Sequence, residues 1–560
     1  MSRIKLPGIL FLCISCCGWN AAQAQDDNRF AVGKQLEIFN ALLKEVDMFY
    51  VDSLDVERTV RRGIDAMLKG LDPYTEYYPE ERMDNLKFMT TGEYGGIGAI
   101  IRQRDEGVVI GEPYEGMPAQ LAGLKTGDLI LAIDTTDVSR FSVEQVSNLL
   151  KGVPNSRLTV KIQRPGEKKP RKIELARKQI TIDQVVYYGV RGDHTGYICL
   201  QGFTDKSTRE VKAAFEDLKQ NHRIESLILD LRNNGGGILD EAVQIVNLFV
   251  PKGKEVLSTR GKIKQRDRIY RTPLEPLDTV MPLAVLINGE SASSAEIVCG
   301  ALQDMDRAIL VGERSFGKGL VQSTRDLPYE GKVKVTISKY YIPSGRCIQA
   351  IDYTHRQADG SVAAIPDSLT SIFHTSNGRP VRDGGGIRPD FEVEELLTPT
   401  MLYYLASDNA LFDYVTQWTQ KHKTIPPVEE FVYSDKDYET FKACLKEKGF
   451  SYDRQSEKML KSLKSVAEIE GYTKDDPALF ADLEAKLTPD LEKDLVRYEK
   501  SVRKLIAMEI VKRYYYRKGE VLESLKEDKA LEKAMSVLND PPLYRKTLNM
   551  DSGEEMTSVP

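Results

Sequence analysis

Apolar positions recur at helical spacing twice near the start of the chain, at Leu36, Phe39, Leu42, Leu43 and Val46 and again at Val60, Ile64, Met67 and Leu68. Residues spaced by three and four share one helix face, so 30–90 reads as helical until Asp72-Pro73-Tyr74 breaks the pattern. From Glu93 to about Lys178 the period shortens to that of strands. Tyr94-Gly95-Gly96-Ile97-Gly98-Ala99 is a glycine-rich turn entering a strand, and Gly107–Ile110, Leu129–Ile133 and Leu158–Ile162 follow, with a helix from Ser142 to Leu150. From Val185 to about Val393 strands alternate with helices, an α/β arrangement. Tyr197–Leu200 is a strand, and Ser207 with Glu210 predicts a capping box for a helix burying Val211, Ala214, Phe215 and Leu218. The strand Leu227–Leu231 closes into Arg232-Asn233-Asn234-Gly235-Gly236-Gly237, and a helix carrying Leu239, Ala242, Val243, Val246 and Leu248 comes next. Beyond residue 400, Thr488-Pro489 predicts a helix start, and Leu491, Leu495, Tyr498, Val502 and Leu505 form a buried stripe.

Chemistry concentrates between Pro282 and Gln322. The apolar run Leu283–Ile287 ends at Asn288-Gly289, and the small-residue knot Ser291-Ala292-Ser293-Ser294-Ala295 leads into a helix with Ile297, Val298, Ala301 and Leu302 on one face. A serine between strand and helix presents its hydroxyl at a sharp turn, facing the free N–H groups of the first helical turn. Ser291, Ser293 and Ser294 all compete on spacing. Twenty-five residues after Ser293 comes Lys318, flanked by Gly317 and Gly319. A lysine activates a serine only when neutral, which requires burial to depress its pKa from about 10.4. Phe316 and the glycines make the loop partly apolar, and the charge of nearby Arg314 also lowers a lysine pKa. Gln322, four residues on, shares a face with Lys318 and can orient its amine. The three glycines at 235–237 suit an oxyanion-binding loop or a plain tight turn. Gly312–Lys318 also satisfies seven places of a phosphate-binding loop, but Gly319 stands where a hydroxyl must hold magnesium.

Composition narrows the classes. Residues 1–24 read as a secretory leader: Arg3 and Lys5, the apolar stretch Ile9–Trp19, then Ala22-Gln23-Ala24 before Gln25. The other reading is an N-terminal membrane anchor. Cys13, Cys16 and Cys17 lie inside it, with surroundings that fit lipid attachment poorly. Its two positive charges take the formal charge from −6 to −8, which argues against nucleic acid as a partner. Cys199, Cys299, Cys347 and Cys444 are widely spaced, indicating neither a zinc site nor a disulfide framework. Five histidines in no cluster give a serine–histidine triad little to work with. No later segment is apolar enough to span a bilayer, so an exported protein of the periplasm or cell envelope is expected.

The phrase PAQLAGLKTGDLILAI and the strand order around it resemble a PDZ domain. In that family the turn before the first strand, here Gly95, Gly96, Ile97, Gly98 and Ala99, binds a peptide's terminal carboxylate through backbone N–H groups, and the peptide adds to the sheet as a strand. The plain alternative is a spacer with a blocked groove. Over roughly residues 35–395 the chain resembles the carboxyl-terminal processing peptidases, or tail-specific proteases. The resemblance rests on VDSLDVERTVRRGIDAMLKGLDPYTEYY, LILDLRNNGGG, SASSAEI, GERSFGKGLVQ, YYIPSGR and GGIRPD. It implies Ser293 as nucleophile, Lys318 as base and Gln322 as its orienter. The oxyanion donors it implies are the N–H of Ser294 and that of Gly237, with Gly236 beside it, and it calls for no cofactor or metal.

The family's SASASEI stands here as SASSAEI. A polar stretch between Gln349 and Gly384, read as a surface flap, separates the last two motifs, and its His355 and His374 are incidental. The expected fold is multidomain α/β. It comprises a leader (1–24), an N-terminal helical region (25–92), an inserted PDZ domain (93–180), an α/β serine-peptidase core (181–396) and a mainly α-helical C-terminal accessory domain (397–560). The last packs on the core, mediates oligomers or shapes substrate access; the sequence leaves these open. The implied function is endoproteolysis near C-terminal tails of exported proteins with free C-termini. A homo-oligomer, an adaptor protein and proximity to a membrane are compatible partners. A catalytically inactive PDZ adaptor is the rival reading.

Overall fold

The computed structural model describes residues 12–80, 83, 91–356, 361–394, 399–453, 455–488 and 490–550. It divides into two compact units, one of Met1–Tyr77 with Thr324–Leu327 and Lys332–Val335, the other of Tyr78–Ser323, Pro328–Gly331 and Thr336–Pro560.

In the first unit the two helical patterns become the helices Leu12–Phe49 and Val56–Lys69. Asp55 caps the second by accepting from Arg58 N–H at 2.9 Å. Leu68 is buried, but Leu36, Phe39 and Leu42 of the first stripe stand exposed. The leader reading begins in residues 1–11, which lie outside the described residues.

The second unit is built on a six-stranded sheet: β1 (Val185–Arg191), β2 (Thr195–Leu200), β3 (Ser226–Asp230), β4 (Leu283–Ile287), β5 (Ile309–Gly312) and β6 (Phe391–Glu392), adjacent in that order. β1 runs antiparallel to β2, and every later pairing is parallel. Side chains alternate across a strand, and here both faces are covered. Ile198, Leu200, Leu229, Val285, Ile287 and Leu310 pack with the helices Ser207–Asn221, Leu239–Asn247 and Ser294–Asp304. Tyr197, Cys199, Ile228, Ala284, Leu286, Ile309 and Val311 pack with Ala530, Leu531, Ala534, Val537 and Leu538 of the helix Lys529–Leu538. The helix Lys529–Leu538 is therefore part of the sheet's second layer, so this portion of the 397–560 region packs on the core, whereas Leu495 and Val502 of the C-terminal stripe lie in a separate helical cluster.

Two capping expectations fail. Ser207 does not cap its helix with Glu210; its hydroxyl bonds Thr204 N–H and Gly202 O, while Glu210 accepts from Gln184 and Val185 N–H at 2.6 and 2.9 Å. The carboxylate ties the helix to the start of β1. Thr488 ends the helix Pro477–Leu487, and Asp490 caps Leu491–Arg497 instead; Pro489 lies outside the described residues. The stripe from Leu491 to Leu505 thus spans two helices, broken at Tyr498.

The expected PDZ strands form one sheet in the order Ala99–Arg104, Gly107–Pro113, Leu129–Ile133, Arg157–Gln163, Arg171–Ala176. Ser142 and Gln145 make a capping box for the helix Val143–Leu150. Helices beyond residue 400 reach this sheet too: Arg104 forms a bidentate pair with Asp413, and Arg517 Nε meets Glu112 at 3.2 Å. Within the 350–384 stretch, Ile351–Arg356 pairs antiparallel with Val362–Ala364 and Ile372–His374 with Pro380–Arg382. Buried Arg346 donates to Asp304 Oδ1 at 2.8 Å and to Arg382 O at 3.0 Å. His355 and His374 are exposed, the former bonded to Asp352.

Because Leu531 joins helix and sheet in one core, Leu531→Ala should cost about 2–5 kcal/mol in a urea titration. It should keep a single transition for the sheet and the C-terminal helices; separate transitions would show that the layer folds on its own.

Candidate active site

Ser293 joins β4 to the helix Ser294–Asp304 with φ 57° and ψ −114°. A non-glycine residue held there costs about 1–3 kcal/mol and persists only where its surroundings enforce it. The two neighbouring hydroxyls are committed elsewhere. Ser291 Oγ donates to Leu231 O at 2.8 Å, and Ser294 Oγ donates to Gly237 O at 2.9 Å. Both residues are buried, whereas Ser293 is half-buried.

What enforces the turn is Glu296, a residue the sequence reading passed over. Its fully buried carboxylate accepts four bonds. Ser293 N–H and Lys318 N–H reach Oε2 at 2.9 and 2.8 Å, while Gly317 N–H and Ser315 Oγ reach Oε1 at 2.7 and 2.5 Å. One oxygen therefore holds the main chain of Ser293 and of Lys318 together. Burial pushes this carboxyl above the ordinary glutamate value, opposed by the donors around it. The legible signal was the spacing Ser293-x-x-Glu296, a capping-box pattern at a helix start.

The lysine loop leaves β5 at Gly312 and enters the strand Leu320–Asp326, not a helix. A phosphate-binding loop needs the helix, and Asp230 at the end of β3 is held by Tyr197 OH and Arg232. Lys318 is half-buried. Two expectations about its setting change: Phe316 is exposed, and Arg314 turns to Asp367 at 3.1 Å, where its charge is balanced. Gln322 donates its amide to Thr336 Oγ1 at 3.1 Å, on the neighbouring strand.

The glycine loop lies against the serine. Gly236 has φ 92°, and a Cβ there would come within 2.7 Å of Ala292 O, 2.8 Å of Ser293 Cβ and 2.9 Å of Ser294 N. At Gly237 a Cβ would meet Phe203 O at 2.2 Å. Gly236 N–H donates to Asn234 Oδ1 at 2.9 Å, and Asn234 O accepts from Ala292 N–H at 2.9 Å. Asn233 and Asn288 exchange two further bonds, Asn233 N–H to Asn288 Oδ1 at 3.0 Å and Asn288 Nδ2 to Asn233 Oδ1 at 2.9 Å. Among the described residues no cluster of His, Cys, Asp and Glu could hold a metal ion.

The profile of peptidase family S41 matches residues 194–355, a PDZ-domain profile matches 109–164, and a profile described as the C-terminal helical domain of a probable PDZ-protease matches 401–538. A carboxy-terminal-processing protease of Bartonella bacilliformis is 37% identical over 325 residues, which cover 57% of this chain and 74% of that protein. The chain belongs to the carboxy-terminal-processing proteases of family S41. It is a serine-type protease with a PDZ domain and a C-terminal helical domain. The chloroplastic C-terminal processing peptidase of Tetradesmus obliquus is 34% identical over 357 residues, 57% of this chain and 76% of that one. The solved photosystem II D1 C-terminal processing protease is 28% identical, covering 65% of this chain and 94% of its own, at a TM-score of 0.34.

In the PDZ domain of this protease, Gly95 and Gly96 pair antiparallel with Gln179 and Lys178. Gly95 O, Ile97 O and Gly98 O accept from Gly152, Ala119 and Tyr114 N–H. Ala99 opens the edge strand of the sheet. No helix of the described residues is long and apolar enough to cross a membrane.

Two substitutions test the architecture. Glu296→Gln puts an amide NH₂ where donors converge, and each orphaned buried donor costs about 1–3 kcal/mol. The variant should therefore melt lower and lose most peptidase activity; wild-type activity at an unchanged melting temperature would refute the clamp. Gly236→Ala should abolish peptide cleavage, because its methyl has no room beside Ala292 O and Ser293.

Proposed function

We propose that this protein is an exported endopeptidase that cleaves proteins near their C-terminal tails with a Ser293–Lys318 dyad. The observation that carries the reading is the shared Glu296 carboxylate, which fixes the main chain of both residues beside the glycine loop. Ser293 Oγ attacks the peptide carbonyl while neutral Lys318 takes its proton. Charge developing on the carbonyl oxygen meets the N–H of Ser294, at the first position of its helix and without an intrahelical partner, and that of Gly237. Gly236 N–H, already donated to Asn234, shapes the loop. Lys318 then protonates the leaving amine, and water hydrolyses the acyl-enzyme by the same route in reverse. Gln322, on the strand that follows, orients the lysine.

Substrate selection belongs to the PDZ domain. The edge strand Ala99–Arg104 offers unpaired main-chain groups for an added peptide strand, and the turn from Gly95 to Ala99 receives the terminal carboxylate.

Ser293→Ala and Lys318→Ala should each abolish cleavage of a tail peptide while leaving the melting temperature near wild type, and chelators should have no effect. A serine-directed acylating probe should label Ser293 alone among the serines; labelling elsewhere, or activity retained in either variant, defeats the dyad. Peptides with free C-termini should bind more tightly than their amidated forms. Equal affinity would remove the carboxylate from PDZ recognition.

A further inference from the structure

Arg232 stands at the entry to the glycine loop, and its buried guanidinium meets two carboxylates. Nε and Nη2 reach Asp230 at 2.6 to 3.1 Å, and Nη2 reaches Asp528 Oδ2 at 2.7 Å. The two partners are not equivalent. Asp230 lies two residues earlier on the same strand end, so its pairing travels with the loop it would hold. Asp528 comes from the C-terminal layer, where its other oxygen accepts from Leu531 N–H at 3.0 Å and caps the helix Lys529–Leu538. That helix is pressed on the back of the sheet through Ala530, Leu531 and Ala534. Either side of Arg232, Ser291 Oγ holds Leu231 O and the Asn233–Asn288 pair joins the loop to the serine turn.

We propose that Asp528 is a positioning residue for peptide hydrolysis: by gripping Arg232 from outside the catalytic segment, it sets where the glycine loop stands against Ser293. The C-terminal helical domain then takes part in the reaction as well as in the fold. The inference rests on the reading of Ser293 as nucleophile and of the glycine loop as oxyanion donor. Asp528 touches neither substrate nor reacting atoms. An oxyanion donor acts on the transition state, so its displacement lowers kcat and leaves ground-state binding, hence KM, nearly unchanged.

Asp528→Asn and Asp528→Ser separate the two roles of this side chain, because Asn and Ser cap helices about as well as Asp but carry no charge for Arg232. Both should lower kcat about ten- to a hundredfold, the scale of a 1 Å misplacement, with KM unchanged and Asp528→Glu recovering part of the loss. Val537→Ala, on the same helix but away from Arg232, should lower the melting temperature and keep kcat. Wild-type kcat in folded Asp528→Asn overturns the proposal. So does an equal kcat loss in Val537→Ala, and so does failure of both capping variants to fold, which would make Asp528 a residue of folding only. Labelling of Ser293 by the acylating probe in the unaltered full chain distinguishes the failures. An unlabelled Ser293 defeats the dyad and this proposal with it, whereas labelled Ser293 with active Asp528→Asn defeats the role of Asp528 alone.

Discussion

A single buried carboxylate ties the serine turn of this protein to its lysine loop. Glu296 is fully enclosed, and an ionised group there is tolerable only if its lone pairs are met by donors. The donors come from the serine turn and the lysine loop, so satisfying Glu296 and assembling the site are one event. The same bonds explain how Ser293 can rest at φ 57°. Its N–H is pinned by the carboxylate, and its carbonyl accepts from Ile297 N–H at 2.9 Å and from the buried Tyr340 hydroxyl at 3.3 Å. Strain at Ser293 is thus held by contacts that also place the main chain of Lys318.

The sheet beneath explains why loops so far apart in sequence can meet. β3, β4 and β5 are adjacent and parallel, so the glycine loop, the serine turn and the lysine loop all leave from the same end of neighbouring strands. Ligands of open parallel sheets collect at such carboxyl ends. Parallel strands need cover on both faces, and this chain takes the second cover from its own C-terminal helices. The apolar runs Leu227–Leu231 and Leu283–Ile287 carry no alternation for that reason.

Much of this was legible in the residues. Apolar runs closing in Gly or Asn marked β3 and β4, and the serine and glycine motifs marked the turns after them. What escaped was whatever depends on partners distant in sequence. Glu296 was passed over because its burial depends on the lysine loop folding over it. Glu210 looked like a capping residue for the same kind of reason, since nothing local reveals that Gln184 and Val185 will present their N–H groups to it. Arg314 looked like a cation beside Lys318 because Asp367, its partner, lies in the polar stretch read as a flap. Local patterns gave backbone shape well, and these charged side chains were misjudged because their partners, N–H and hydroxyl donors or a counter-charge, came from another segment.

The Arg232 cluster extends that point from description to mechanism. Without Asp528 the exit of β3 would be tied to the serine turn, through Ser291, Asn288 and Ala292, but not to the C-terminal helices through Arg232. The second carboxylate, on Asp528, is what refers that exit to an outside frame. Asp528 also begins the helix that covers β4 and β5, so one side chain contacts both the helical layer and the residue at the entry to the glycine loop. The long helix before it, Glu499–Ser524, carries Lys512 and Arg517 against Glu112 of the PDZ sheet, and breaks at Tyr516 between them. The PDZ sheet and the sheet that carries Ser293 therefore both meet the C-terminal helices, with charged pairs at Glu112 and at Arg232 where side chains from separate segments must find each other.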